Sequence, residues 1–127
     1  MKTRYTVVLS LIAGAAVGAA AIQGLHAQAK PKAYLVTESE VLDAAALAKY
    51  TADISAVQKA AGGRSFGTRG KIVATVGDAP KRVGLSEWDS LEKAEAFYKS
   101  KGFQDLASER DKAETVTRLY AVEALPN

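Results

Sequence analysis

Cysteine is absent from the 127-residue chain, and its one histidine and one methionine, His26 and Met1, both fall within the first 29 residues. From Lys30 onward there is no thiolate, imidazole or thioether. That excludes Cys/His zinc sites, iron–sulfur clusters and the usual haem ligands other than tyrosine. It equally excludes Ser-His-Asp and Cys-His catalysis, and no disulfide can staple the fold. No metal site and no cofactor is therefore expected. Any chemistry must use carboxylates, Lys, Arg, Tyr, Ser/Thr, backbone groups, or a cofactor held without the missing ligands.

What is present begins with a three-part leader. Lys2 and Arg4 precede an apolar run of 16 residues from Val7 to Ile22, broken only by Ser10, and Ala27-Gln28-Ala29 follows. A basic start, an apolar stretch and an A-x-A site make a secretory signal peptide over residues 1–29. The run is shorter than the roughly 20 residues a bilayer span needs. The competing reading is an uncleaved anchor, since Gly14 and Gly18 form a weak helix-pairing motif. Cleavage after Ala29 leaves one domain, residues 30–127, in the periplasm or secreted, with no membrane association once the signal is gone. It also lowers Lys+Arg from 17 to 15 against 14 Asp+Glu, so the domain is near neutral. The basic balance belongs partly to the leader and gives no ground for a nucleic-acid partner.

Along the domain, β-favouring Tyr34, Val36 and Thr37 mark a strand over residues 33–37. Asp43 caps a helix whose Leu47, Tyr50, Ile54, Val57 and Ala61 recur at steps of three and four, and Gly62-Gly63 ends it. Ser65 to Val76 reads as extended, interrupted at Gly67 and Gly70. A turn at Gly77-Asp78-Ala79-Pro80 leads into a partner strand from Arg82 to Trp88. Asp89-Ser90-Leu91-Glu92 reads as a capping box opened by Asp89. The helix it opens runs through Tyr98, pauses near Ser100-Lys101-Gly102 and resumes to Arg110. A last strand covers Thr115 to Ala124.

This β-α-β-β-α-β order is the α+β, ferredoxin-like arrangement, an antiparallel sheet with both helices on one face. Right-handed crossovers place the first strand between the third and fourth. Val83, Leu85 and Glu87 share one face of their strand, while Gly84, Ser86 and Trp88 share the other. Large apolar groups on both faces, with helices for only one, call for a second copy of the chain.

Gly62-Gly63-Arg64 lacks the spacing of a dinucleotide fingerprint and ends a helix instead of opening one, so a helix cap is the better reading. Between Asp53 and Asp78 there is no acid but four cations, Lys59, Arg64, Arg69 and Lys71. Such a stripe can hold a carboxylate or phosphate, or it can simply protect an edge strand. Glu87, on the Val83–Leu85 face, is a candidate general acid or base, or half of a structural ion pair with an arginine. Tyr34 and Tyr50 are more often core or rim residues, and Trp88 more often packs a core than grips a ligand.

The series Ala33-Tyr34, Asp43, Tyr50, Gly62-Gly63-Arg64, Arg69-Gly70, Arg82, Glu87-Trp88-Asp89-Ser90, Ala94, Tyr98-Lys99-Ser100, Phe103-Gln104 and Arg110 resembles the domain-of-unknown-function 1330 family over nearly the whole domain. Val76-Gly77 stands where that family usually has Glu-Gly, and Glu87-Trp88-Asp89 where Glu-Phe-Pro is typical. The missing acid counts against a two-carboxylate mechanism. The resemblance implies a dimeric α/β barrel, two ferredoxin-like sheets packed face to face. Similar barrels include cofactor-free monooxygenases, muconolactone isomerases and haem enzymes, the last dependent on a histidine that this domain lacks. Fold likeness does not confer those activities.

Three expectations follow. The first is a homodimer binding a small organic or anionic molecule between sheet and helices, with Tyr34, Tyr50, Arg64, Arg69 and Glu87 as the lining. The second is a cofactor-free enzyme, isomerase- or monooxygenase-like, using Glu87 as acid or base. The third is an interaction module without a ligand.

Overall fold

The computed structural model describes residues 30–127; the signal peptide expected over residues 1–29 lies outside the described residues. Four strands form one antiparallel sheet: β1 (Ala33–Val41), β2 (Arg64–Phe66), β3 (Arg82–Trp88) and β4 (Glu114–Glu123), in the spatial order β2-β3-β1-β4. The long helix α1 (Ala44–Ala60) follows β1, and three short helices, α2 (Leu91–Tyr98), α3 (Lys101–Asp105) and α4 (Ala107–Ala113), connect β3 to β4. The first strand is central, as the crossover rule requires.

Local chemistry explains the helix boundaries. Asp43 sits in extended backbone and its carboxylate accepts a hydrogen bond from the Ala46 amide at 2.7 Å, which satisfies one orphan donor of α1. At the other end Gly62, at φ +92°, donates its amide to the Lys59 carbonyl, and the Gly63 amide reaches back to Gln58 at 2.8 Å. That paired return is the glycine-dependent stop that the Gly-Gly pair promises. Gly63 has a second reason to be small. A Cβ there would lie 2.5 Å from the indole of Trp88. The second cap differs from the sequence expectation by one residue. Ser90, not Asp89, caps α2 by accepting from the Lys93 amide, because Asp89 is turned outward to Lys32 at 2.7 Å.

One face of the sheet meets the helices. Ala33 and Leu35 of β1, Trp88 of β3, Ala94 and Phe97 of α2 and Phe103 of α3 form the core, with Ile54 and Val57 of α1 packed against them. The Trp88 and Phe97 rings stack at 4.7 Å, and Phe103 meets Phe97 edge-on at 5.5 Å. Such pairs add about 0.5–1.5 kcal/mol beyond the area they bury. Polar atoms beneath α1 are satisfied in series. The Trp88 indole N–H donates to Ser86 Oγ at 2.9 Å, Gln58 also donates to it, and Ser65 donates to Gln58.

The chain departs from expectation between the second and third strands. Only Arg64–Phe66 pairs with β3, opposite Glu87, Ser86 and Leu85, and residues 67–81 have no regular structure. The β-favouring run around Val73 and Val76 is exposed, Val76 at 92 %. With no neighbouring layer to cover it, side-chain preference alone does not make a strand there.

A register shift in β4 matters more. Glu38 pairs with Arg118 but Ser39 pairs with Val116, so Thr117 is the extra residue of a bulge. C-terminal to the bulge, the even-numbered residues of β4 face away from the helices with Glu38; N-terminal to it, Val116 and Glu114 face the helices with Ser39.

Candidate functional site

Between α1 and the helix-side face of the sheet lies a cleft of about 900 Å³. Its apolar wall comes from Leu47 and Ile54 of α1 with Leu35, Leu119 and Phe103. Its mouth is formed by Thr68, Arg69, Gly70 and Ile72 of the irregular 67–81 segment. Loops of this length without regular structure are uncommon in compact domains unless they serve a site. Here Thr68 ties the segment back to the sheet by donating to the Val83 carbonyl.

At one end of the cleft the bulge places a buried charge. Glu114 is 3 % exposed. Its carboxylate accepts from Ser39 Oγ at 2.6 Å and from Arg82 Nη1 at 2.7 Å. Arg82 lies directly across the ladder from Ser39, and its Nη1 is the one atom of the guanidinium hydrogen-bonded to a described residue. Removing either member of such a pair strands the other, at about 3–5 kcal/mol.

Tyr50, buried on α1, lines the same end. Its phenol is pushed up to about 12, first by burial and then by the negative charge of Glu114, so it is a neutral hydrogen-bond donor across the physiological range. Arg110 stands over the Phe103 ring at 5.7 Å. The charged residues lining the cleft are Arg69, Lys81, Arg82 and Arg110 against Glu114 alone. Arg69 and Lys81 have no ion-pair partner among the described residues.

The five residues expected to line one pocket divide between two places. Tyr50 and Arg69 line the cleft. Tyr34, Arg64 and Glu87 are instead clustered on the opposite face of the sheet. Glu87 Oε1 accepts from Arg64 at 2.9 Å and lies 3.7 Å from Lys32, while Oε2 accepts from the Tyr34 hydroxyl at 3.3 Å. The reason is the period of two along β3: Ser86 and Trp88 face the helices, so Glu87 cannot. The structural-pair alternative for Glu87 is the arrangement observed within the chain. The cleft residues Arg82, Arg110 and Glu114 were not among the sequence candidates. Arg82 was readable, since it shares strand parity with Gly84, Ser86 and Trp88. Glu114 was not, because only the bulge turns it inward.

The open face carries Val36, Val83 and Leu85, half-buried, with Phe66, Tyr120 and Val122 exposed. No described helix covers it.

A four-stranded antiparallel sheet, helices on one face and a cleft between the two define an α+β domain of ferredoxin-like type. The chain belongs to the family described as "Domain of unknown function (DUF1330)", whose model matches residues 32–125. Among curated proteins none matches. Solved structures share the fold. A protein of unknown function from Rhodopseudomonas palustris is 15 % identical with a TM-score of 0.57, over 84 % of this chain and 93 % of its own. SnoaB, a cofactor-independent oxygenase from Streptomyces nogalater, is 14 % identical with a TM-score of 0.56, over 76 % and 96 %. A dabb family protein with a ferredoxin-like fold from Mesorhizobium loti is 14 % identical with a TM-score of 0.53, over 77 % and 99 %. At these identities the likeness is one of fold.

Proposed function

We propose that this domain acts outside the cytoplasm as a homodimer and binds a small organic anion in the cleft between α1 and the sheet. The observation that carries the reading is the cleft's charge. Of the four cationic side chains that line it, Arg82 is paired with Glu114 and Arg110 with Asp111, which leaves Arg69 and Lys81 without an ion-pair partner among the described residues. An apolar wall beside a cationic end suits a molecule with a hydrocarbon body and one acidic group. The dimer is supported by the open face, where three exposed and three half-buried apolar side chains lie together. An interface of standard size covers about 800 Å² per partner. The leader motif supports export.

The enzyme alternative drew on Glu87, which lies outside the cleft and is engaged by Tyr34, Arg64 and Lys32. The geometry therefore favours binding through the cleft over acid–base work at Glu87.

A thermal-shift series with small carboxylates and inorganic phosphate tests the anion reading. Saturation at a hundred times the dissociation constant stabilises by about 2.7 kcal/mol. Arg69→Gln, on an exposed side chain without a structural partner, should weaken binding several-fold and leave the unliganded melting temperature unchanged. Carboxylates and phosphate without effect on the wild-type protein overturn the reading.

A further inference from the structure

The cleft's floor carries information about ligand shape, and the inference drawn from it rests on the anion reading above. The floor is the stretch of sheet where Thr37 pairs with Gly84 and Leu35 pairs with Ser86. Gly84 has no conformational need to be glycine, since Gly62 and Gly77 are the positive-φ glycines of the described chain. Nor does packing exclude a larger residue. A Cβ built on Gly84 would point to the helix side, 3.6 Å from Thr37 Cβ and about 4.0 Å from Arg82 Nη1, in ordinary contact. No atom of α1 comes within 4 Å of that point. An interior strand glycine without a side chain to pack weakens the strand. What its absence of side chain creates is a flat window onto the sheet inside the cleft.

The window is ringed by unused donors. Ser86 is 2 % exposed. Its oxygen already accepts from Trp88 Nε1 at 2.9 Å and from Gln58 Nε2 at 3.5 Å, which occupies both lone pairs and leaves its proton to donate. Thr37 Oγ1, 3.9 Å from the Gly84 Cβ position, makes no hydrogen bond with a described residue. Arg82 stands at the rim with Nη2 and Nε outside the Glu114 network.

We infer that the cleft takes a planar organic acid of the aromatic or conjugated class, lying flat on the Gly84 window with its carboxylate on Arg82 and a second oxygen accepting from Thr37 or Ser86. A ring in van der Waals contact with the sheet backbone at 3.5–4.0 Å gains dispersion over its whole face. A puckered ring of equal size touches at a few atoms only.

The test compares benzoate, 2-hydroxybenzoate and cyclohexanecarboxylate on the purified protein by calorimetry. Trp88, the only tryptophan, gives a second readout through its bond to Ser86. Benzoate should bind roughly tenfold tighter than cyclohexanecarboxylate, a difference of about 1.4 kcal/mol. Gly84→Ala should fold at least as stably, lose about tenfold for the flat acids and change little for the puckered one. Thr37→Val, nearly isosteric, should erase the advantage of 2-hydroxybenzoate over benzoate or, with Ser86 as sole donor, leave it intact; either supports the placement when the Gly84→Ala effect is present. If flat and puckered acids bind equally, or Gly84→Ala weakens both alike, the planar inference is overturned and the anion reading stands. If none of the three binds the wild-type protein, the planar inference is overturned, and the anion reading falls with it only if the small carboxylates and inorganic phosphate also have no effect.

Discussion

The four strands of the sheet present two unlike surfaces. On the helix side, Ala33, Leu35 and Trp88 are all but sealed from solvent, and the ion pair Arg82–Glu114 has its carboxylate buried. On the open side, Tyr120 and Val122 remain nearly half exposed, and ion pairs such as Arg118–Glu38 at 2.7 Å and Arg64–Glu87 have their cationic partners in solvent. The first surface is finished within one chain except for its cleft. The second holds apolar groups between charged pairs whose carboxylates are largely shielded, and the proposed homodimer rests on that surface. Alternation along a strand is enough to put the sealed core on one face and the exposed apolar groups on the other.

The largest effect tests the helix side. Trp88→Ala removes the ring that stacks on Phe97 and closes over Gly63, and should cost about 3–5 kcal/mol in urea unfolding. That is a large share of the 5–15 kcal/mol typical of a domain. A loss below about 1 kcal/mol would place the core elsewhere and dissolve the contrast. The next test addresses the open side. Leu85→Lys should weaken homodimer formation about a hundredfold or more by light scattering, yielding monomers prone to aggregate. Intrachain stability should change far less than for Trp88→Ala. A wild-type protein that scatters as a monomer at micromolar concentration removes the dimer from the proposal.

The smallest effect sharpens the description of the cleft. A phenol whose folded pKa is raised to about 12, from about 10 in the unfolded chain, binds its proton more tightly when folded. Its contribution to stability is complete below about pH 10 and is lost as pH climbs towards 12. Tyr50→Phe should flatten that alkaline decline in a stability–pH series. An unchanged alkaline limb in Tyr50→Phe would mean that the phenol is not held neutral beside Glu114.

Much of this was legible from residue order alone. Asp43, the Leu47–Val57 stripe and Gly62-Gly63 specify α1 because capping, helical periodicity and the left-handed stop are all local, and they agree. The β-α-β-β-α-β order and the central first strand follow from connection rules. The division of β3 into a Trp88 face and a Glu87 face follows from the period of two. The candidate site was half legible. Tyr50 and Arg69 lie in the cleft, whereas Tyr34, Arg64 and Glu87 were grouped with them although their strand parity sends them to the other face.

Residue order alone was enough to place the main elements in order and to exclude the chemistries that need Cys, His or Met after residue 29. Local propensity, periodicity and composition need no knowledge of neighbours. Tertiary structure decided the rest. Residues 64–66 pair as a strand and 67–81 do not, because strand formation depends on a partner and a covering layer. A single extra residue at Thr117 turns Glu114 inward to Arg82 and Ser39. Register is a property of two strands together, so no reading of one strand could have shown that the cleft would carry a buried carboxylate.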